Sequence, residues 1–140
     1  MRPALPTTTP VRRATEFLTL AYACVLELAT HWPYDPAGYL RMVLRTQRPP
    51  SDKTLHFVAY AILAILLWAC ARLRGMAAPR ATLAVMAIVG IWAAVDEVTQ
   101  PFFYRAAEPL DWVYDMVGAA IGCGTCAVLD RFFTGWRRAA

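Results

Sequence analysis

The stretch Asp96-Glu97-Val98-Thr99-Gln100 follows fourteen consecutive residues, 82–95, that carry no charge. An uncharged apolar run of this kind is typical of a transmembrane helix, and it needs about one more turn to cross a bilayer. The acidic pair therefore falls at a depth where the helix is still inside the membrane. Because ionisable groups are costly there, they favour a functional site. We expect the rest of the chain to bring further polar groups to the same depth.

The composition agrees with a membrane protein. Of the 140 residues, 59% are hydrophobic and only 17% are charged, which is little charge for a soluble domain. The length allows one domain. The net charge of +4 is modest, and no basic cluster is interleaved with aromatic residues, which argues against nucleic acid as a partner. Cys123 and Cys126 have redox-motif spacing but no surrounding βαβ pattern, so we interpret them as packing residues.

Four apolar segments predict an all-α protein, a bundle of four transmembrane helices with approximate spans 14–31, 54–72, 81–100 and 110–130. The bundle forms a domain over residues 14–133, between a disordered cytosolic tail (1–13) and a cytosolic tail at 134–140. The first span is the weakest because it contains Glu16 and Glu27, and a cleaved signal peptide is the alternative there. Residues 38–47 are either a short helix at the membrane surface or an irregular loop.

The distribution of basic residues predicts the orientation. With four spans, the two termini and the middle connection share one side of the membrane, and they hold nine basic residues. The other side holds five, and it also receives most of the acidic residues. The positive-inside rule therefore makes both termini cytosolic.

In this topology the polar ends of spans two, three and four meet in the outer leaflet. Asp52, His56 and Tyr60 have the i, i+4, i+8 spacing of one helix face. The candidate ligand-binding residues are Asp52, Lys53, His56, Tyr60, Asp96, Glu97, Gln100, Arg105, Asp111 and Asp115. Gly118 and Gly122 continue the stripe of span four inward, and this Gly-x-x-x-Gly pattern predicts close packing against a neighbouring helix.

Single members of the set have structural explanations. Asp52 and Asp111 suit N-caps, and lysine and arginine side chains extend readily to lipid headgroups. Helix caps do not explain Asp96, Glu97 and Asp115, which lie about one turn inside apolar spans. Burying an unpaired acid costs about several kcal/mol and requires cations, water or a metal to offset it. The group therefore favours a functional site over a purely structural cluster of ion pairs.

The pattern Asp52-Lys53-x-x-His56-Phe57-x-x-Tyr60, then Asp96-Glu97-x-x-Gln100, Arg105, Asp111 and a following Gly-x-x-x-Gly, resembles the VanZ-like membrane proteins. The resemblance covers roughly residues 50–124. It implies a multi-pass protein of the bacterial cytoplasmic membrane, and the founding member of that family is associated with resistance to teicoplanin. One departure is Phe103-Tyr104, where the family usually has Pro-Gly or a similar turn before the arginine.

Two functions stay open on the sequence. In the first, a non-enzymatic protein of the cell envelope binds a lipid or lipoglycopeptide-like ligand, with Lys53 and Arg105 holding an anionic head. The alternative is a membrane-embedded enzyme that acts on a lipid-linked phosphate or sugar, through acid–base chemistry or a divalent metal. The sequence assigns no catalytic residue, no dedicated metal ligands and no cofactor. Membrane lipid is the expected partner.

Overall fold

The protein is predominantly helical in the part that the computed structural model describes, residues 9–32, 42–43 and 51–139. Helices α1 (Thr9–Thr30), α2 (Asp52–Leu73), α3 (Ala78–Thr99) and α4 (Pro109–Ala139) follow one another, with a 3₁₀ turn at Gln100–Phe103 after α3. The predicted all-α class is confirmed. Of the predicted surface helix at 38–47, only Met42 and Val43 lie among the described residues, and both are helical.

Local sequence explains where the helices begin and end. The Ser51 hydroxyl caps α2 by accepting a hydrogen bond from the amide of Thr54. Gly75 follows α2 with a φ of +85°, a left-handed conformation that glycine adopts without steric penalty. Pro101 ends the α-helical part of α3, because proline cannot donate the next backbone hydrogen bond. Pro109 begins α4, a position where its missing amide proton is not needed.

Two helices are longer than the sequence predicted. The first begins at Thr9 rather than residue 14, so residues 9–13 are helical and not part of a disordered tail. The last continues to Ala139, well past the predicted end of its span at 130. A helix can extend beyond the apolar segment because water-exposed turns need only backbone hydrogen bonds and helix-forming residues.

Helix α2 packs against all three other helices, most extensively against α4. Small residues occupy several of the buried positions between helices, including Ala64, Ala81, Ala93 and Ala119. Such residues allow close helix packing in a membrane, where the lipid tails provide no hydrophobic driving force for association. At the end of the bundle where α2 finishes, Arg72 pairs with Asp130 of α4 and Arg74 pairs with Glu16 of α1.

Among the described residues, α2, the segment from α3 through the 3₁₀ turn, and α4 through Thr134 are long and apolar enough to cross a membrane. Large apolar side chains on their outer faces, such as Leu83, Ile91 and Val98, are exposed and would be solvated by lipid. Helix α1 is not among these candidate spans, and it carries Arg12, Arg13, Glu16 and Glu27. The four-span arrangement with cytosolic termini therefore stays a prediction.

Candidate functional site

Ten predicted residues lie at one end of the bundle, where α2 and α4 begin and α3 ends. Helix α2 contributes Asp52, Lys53, His56 and Tyr60. The end of α3 and the 3₁₀ turn contribute Asp96, Glu97 and Gln100. Arg105 comes from the segment after the turn, and Asp111 and Asp115 come from α4. Of these side chains, His56, Tyr60, Asp96, Glu97, Gln100, Asp111 and Asp115 are buried. We call the ten residues together the polar cluster.

His56 lies at the centre of the cluster, between two aspartates of α4. Its Nδ1 is 3.0 Å from Asp115 Oδ1, so the ring donates a hydrogen bond to that carboxylate. Its Nε2 faces Asp111 Oδ2 at 3.7 Å, which is an electrostatic contact and too long for a hydrogen bond. One ligand atom each from His56, Glu97 and Asp115 fall within 4.8 Å of one another.

Lys53 is already engaged by two carboxylates. Its Nζ donates to Glu108 Oε2 at 2.6 Å and to Asp111 Oδ1 at 3.0 Å. The hydrogen bond from Lys53 lowers the pKa of the Glu108 carboxyl. The amide of Glu108 in turn donates to Glu97 Oε2 at 2.8 Å, so the loop before α4 orients that carboxylate. Lys53 is thus less available to an anionic ligand than the sequence suggested.

Asp96 belongs to a second hydrogen-bond network, which includes α1. Its Oδ1 accepts from the hydroxyl of Thr30 at 2.7 Å, and its Oδ2 accepts from the Tyr60 hydroxyl at 3.2 Å. His31, just after α1, has Nδ1 3.3 Å from Asp96 Oδ1 and Nε2 2.8 Å from the Thr99 hydroxyl. Both oxygens of Asp96 therefore have partners, and α1 is joined to the end of α3.

Three buried polar atoms of the cluster have no hydrogen-bond partner among the described residues. They are Glu97 Oε1, Gln100 Nε2 and Asp115 Oδ2. Their residues are 7%, 1% and 0% exposed, respectively. A buried polar atom without a partner costs about 1–3 kcal/mol, so native proteins rarely leave one without water, an ion or a ligand. Three such atoms in one cluster indicate a place for a bound species.

Arg105 is held by the turn that follows α3. Tyr104 adopts a φ of 61°, the left-handed region that is unfavourable for a bulky side chain. The amide of Arg105 donates to the Gln100 carbonyl at 3.2 Å, which closes the turn. Within the described part of the chain, its guanidinium makes one ion-pair contact, a long one of 3.8 Å with Asp52 Oδ2. Arg105 is therefore the cation of the cluster with the weaker internal pairing.

An apolar groove of about 310 Å³ lies between α1 and α2 and reaches the polar cluster. Leu26 and Ala29 of α1 face Val58 and Ala59 of α2 across it. Its lining also includes Asp52, His56, Tyr60 and Arg105 at the polar end. The apolar groove therefore leads to charged and hydrogen-bonding groups at its polar end.

The glycines of α4 allow that helix to approach α2 closely. A Cβ at Gly118 would collide with the carbonyl oxygen of Phe57, and one at Gly122 would lie 2.6 Å from the carbonyl oxygen of Ala61. All four cysteines are free thiols, with Cys123 buried in the core and Cys24 exposed on α1.

The sequence did not predict the contributions of Thr30, His31 and Glu108, or of Glu27, whose Oε1 lies 3.4 Å from His31 Nδ1. Glu27 and His31 are one helical turn apart at the end of the first apolar segment, which is the spacing of a polar helix face. The same convergence argument that placed spans two to four would have extended to them. Glu108 lies in the loop between α3 and α4, where the sequence gives no periodic pattern to identify its partner.

The comparisons with known proteins agree with the resemblance seen in the sequence. The sequence model of the VanZ/LLP1 family matches residues 25–130, which include every residue of the polar cluster. No curated protein and no solved structure matches the chain.

Proposed function

Because the chain belongs to the VanZ/LLP1 family and is a membrane protein of the VanZ type, we propose that its polar cluster binds the head of an amphiphilic envelope ligand. The ligand class is a lipid or lipoglycopeptide-like molecule, and the association of the family's founding member with teicoplanin resistance motivates that choice. The observation that carries the proposal is the set of three unpaired buried atoms, on Glu97, Gln100 and Asp115, beside an apolar groove.

The chemistry of the cluster suits a head rich in hydrogen-bond donors. The free oxygens of Glu97 and Asp115 accept from hydroxyl or amine groups, and the amide nitrogen of Gln100 donates to a carbonyl or phosphate oxygen. Arg105 adds a cation for an anionic group. An acyl chain would lie in the groove between α1 and α2, which has the apolar lining that ligand pockets typically have.

In the membrane we propose four spans in the bacterial cytoplasmic membrane, with both termini in the cytosol. Helix α1 supports this arrangement because it runs antiparallel to α2 along the bundle, with Glu16 beside Arg74 at one end and Thr30 beside Asp96 at the other. Its 22 residues correspond to a length of about 33 Å, enough to cross the hydrocarbon layer. The polar cluster would then lie in the outer leaflet.

The proposal is tested by native mass spectrometry of the protein in mild detergent, which identifies the amphiphiles that stay bound to it. We expect an amphiphile at one per chain, enriched over its share of the membrane. Gln100→Glu keeps the side-chain size and adds a charge, and Ala29→Trp fills the groove; both should lose most of the bound amphiphile while the protein still folds.

Ala87→Trp is the matched control, since Ala87 is exposed on α3 and does not line the groove. It should retain the amphiphile at the level of the parent. The proposal would be wrong if the folded parent carries only lipids in their bulk membrane ratio, or if all three variants retain the same species as the parent.

A membrane-embedded enzyme for a lipid-linked phosphate or sugar is the second candidate. The proximity of His56 to the carboxylates of Asp111 and Asp115 favours it, because a histidine oriented by a carboxylate is a common general base. Turnover of a lipid-linked substrate by the purified parent, lost in His56→Gln, would replace the binding function by this one.

A further inference from the structure

We propose that His56, Glu97 and Asp115 bind one divalent transition-metal ion of the Mn²⁺ or Zn²⁺ class. The three side chains come from α2, α3 and α4, so an ion there would join three helices. The ion would take the same free oxygens of Glu97 and Asp115 that the proposed ligand head would contact, so the two occupants compete there, and the metal site is testable with the metal alone.

The spacing of the donor atoms suits a single ion after a small adjustment. The three candidate ligand atoms lie within 4.8 Å of one another. Three atoms that are 4.8 Å apart lie about 2.8 Å from their common centre, compared with a metal–ligand distance of about 2.1 Å. A movement of each ligand atom by less than about 1 Å therefore closes the site, and all three residues are at least nine-tenths buried.

The unpaired oxygens provide evidence for a ligand beyond the grouping of acids. Glu97 uses Oε2 to accept from the amide of Glu108, and Asp115 uses Oδ1 to accept from His56. The other oxygen of each carboxylate, Glu97 Oε1 and Asp115 Oδ2, is buried and has no partner among the described residues. Each carboxylate is thus oriented by one oxygen and has the second available for a cation.

The surroundings of His56 match those of a metal-binding histidine. Its two ring nitrogens face carboxylates on opposite sides, Asp115 at Nδ1 and Asp111 at Nε2. If Nδ1 binds the ion, an imidazolium releases its Nδ1 proton to solvent, and a neutral ring transfers that proton to Nε2. In both cases the ion replaces the Nδ1 hydrogen bond to Asp115. The Nε2–H then points at Asp111, which Lys53 already orients at 3.0 Å. A carboxylate behind the second ring nitrogen is the usual arrangement for histidine ligands and raises their basicity.

The mixture of donors narrows the type of metal. One imidazole with two carboxylates favours Mn²⁺ or Zn²⁺ over Mg²⁺ and Ca²⁺, which prefer oxygen ligands alone. The charge is also suitable, because two carboxylates and a neutral imidazole around a divalent ion sum to zero.

Two other groups of side chains at this end contain the residue types of a metal site, but the evidence for a bound ion is weaker there. In the group of Glu27, His31 and Asp96, both Asp96 oxygens accept hydrogen bonds, and the Glu27 side chain is 46% exposed. In the group of Asp52, His56 and Asp111, Asp52 is paired with Arg105 and Asp111 with Lys53. Neither group adds another buried carboxylate oxygen without a partner among the described residues.

The experiment uses the full chain in detergent, stripped with chelator and desalted. Mn²⁺ is titrated and its free concentration followed by electron paramagnetic resonance, and Zn²⁺ is titrated by calorimetry. We expect one saturable site per chain for at least one of the two ions. Glu97→Gln and Asp115→Asn preserve side-chain size and should each weaken that binding at least tenfold, with helix content and elution volume unchanged.

Glu27→Gln is the matched control, because it removes a carboxylate from the neighbouring group, and it should keep the parent Kd. The proposal is overturned if the folded parent binds neither ion at one per chain. It is also overturned if folded Glu97→Gln or Asp115→Asn keeps the parent Kd, or if Glu27→Gln alone loses binding. Amphiphile retention by the metal-stripped parent is recorded separately, so the failure of one proposal does not imply the failure of the other.

Discussion

Gly118 of α4 lies against the backbone carbonyl of Phe57 on α2, in a space that leaves no room for a Cβ. His56 precedes Phe57, and Asp115 lies about one turn before Gly118, so the same close approach places the imidazole 3.0 Å from the carboxylate. The contact between α2 and α4 along Gly118 and Gly122 is called the packing seam. A glycine in it thus determines the geometry of the polar cluster. The contact is with backbone, which cannot move aside as the end of a flexible side chain can.

Gly118→Ala is therefore expected to push α4 away from α2 and to destabilise the protein by about 1–3 kcal/mol, the usual effect of overpacking. Thermal unfolding in detergent measures the loss. Gly124→Ala is the control, because nothing lies within 4 Å of a Cβ placed there, and it should be neutral or slightly stabilising. Equal Tm values for the parent and Gly118→Ala would show that the seam is not tight.

Much of this seam follows from the sequence alone. The i, i+4 spacing of Asp111 and Asp115, continued inward by Gly118 and Gly122, is fixed by the helical repeat. The direction of the helices then requires the beginnings of α2 and α4 and the end of α3 to be at one end. Helical periodicity thus predicted which residues converge.

The pairing inside the cluster could not be predicted. Several acidic residues of the neighbouring helices lie at the same end of the bundle as Lys53. The structure pairs Lys53 with Glu108 and Asp111 rather than with Asp96. That choice depends on the path of the loop before α4, which has no repeat. The role of α1 was also missed, because its charged residues weaken the apolar pattern. Its hydrogen bond to Asp96 comes from Thr30, a residue type that gives no distinctive signal in the sequence.

Thr30→Val should reveal how strongly α1 is held to α3. The substitution keeps the shape of the side chain and removes the hydroxyl that donates to the buried Asp96 carboxylate at 2.7 Å. Hydrogen bonds to charged groups contribute about 1.5–3 kcal/mol, so a loss of that order is expected in detergent unfolding. Thr15→Val is the control, since its exposed hydroxyl bonds, among the described residues, only to the carbonyl of Val11 in its own helix. A loss no larger than that of the control would mean that Asp96 finds another donor.

The pair formed by Lys53 and Glu108 predicts a pH dependence of stability. Because Lys53 lowers the pKa of Glu108 in the folded protein, the pair stabilises the fold above the ordinary carboxyl pKa. That stabilisation is lost as the pH falls through the lowered value. Glu108→Gln should therefore unfold at a lower temperature than the parent at pH 7, with a difference that shrinks as the pH falls below about 4.

Salt provides the control for this prediction, because Glu108 is half-exposed and ions screen such pairs. At pH 7 the difference in Tm between Glu108→Gln and the parent should decrease as the ionic strength rises. A difference that stays constant in both acid and high salt would assign the effect of the substitution to packing and not to charge.

The orientation in the membrane is tested with single cysteines in a chain whose four native cysteines are replaced. The polar cluster lies at the end of the bundle near residue 107, and the connection between α2 and α3 lies at the other end. We expect Ala107→Cys to react with an impermeant thiol reagent in intact cells. Ala77→Cys, on the exposed connection, should react only after permeabilisation.

Ala14→Cys then decides whether α1 crosses the membrane. Residue 14 is exposed near the start of α1, at the end where Glu16 meets Arg74. A crossing α1 puts this position on the side of Ala77, so it should be protected in intact cells. Labelling at residue 14 with protection at residue 77 would mean that only three helices cross, whereas labelling at residue 77 with protection at residue 107 would put the polar cluster in the cytosol. In that last case an envelope ligand would have no access to Glu97 from outside, and a cytosolic lipid head would take its place in the proposal.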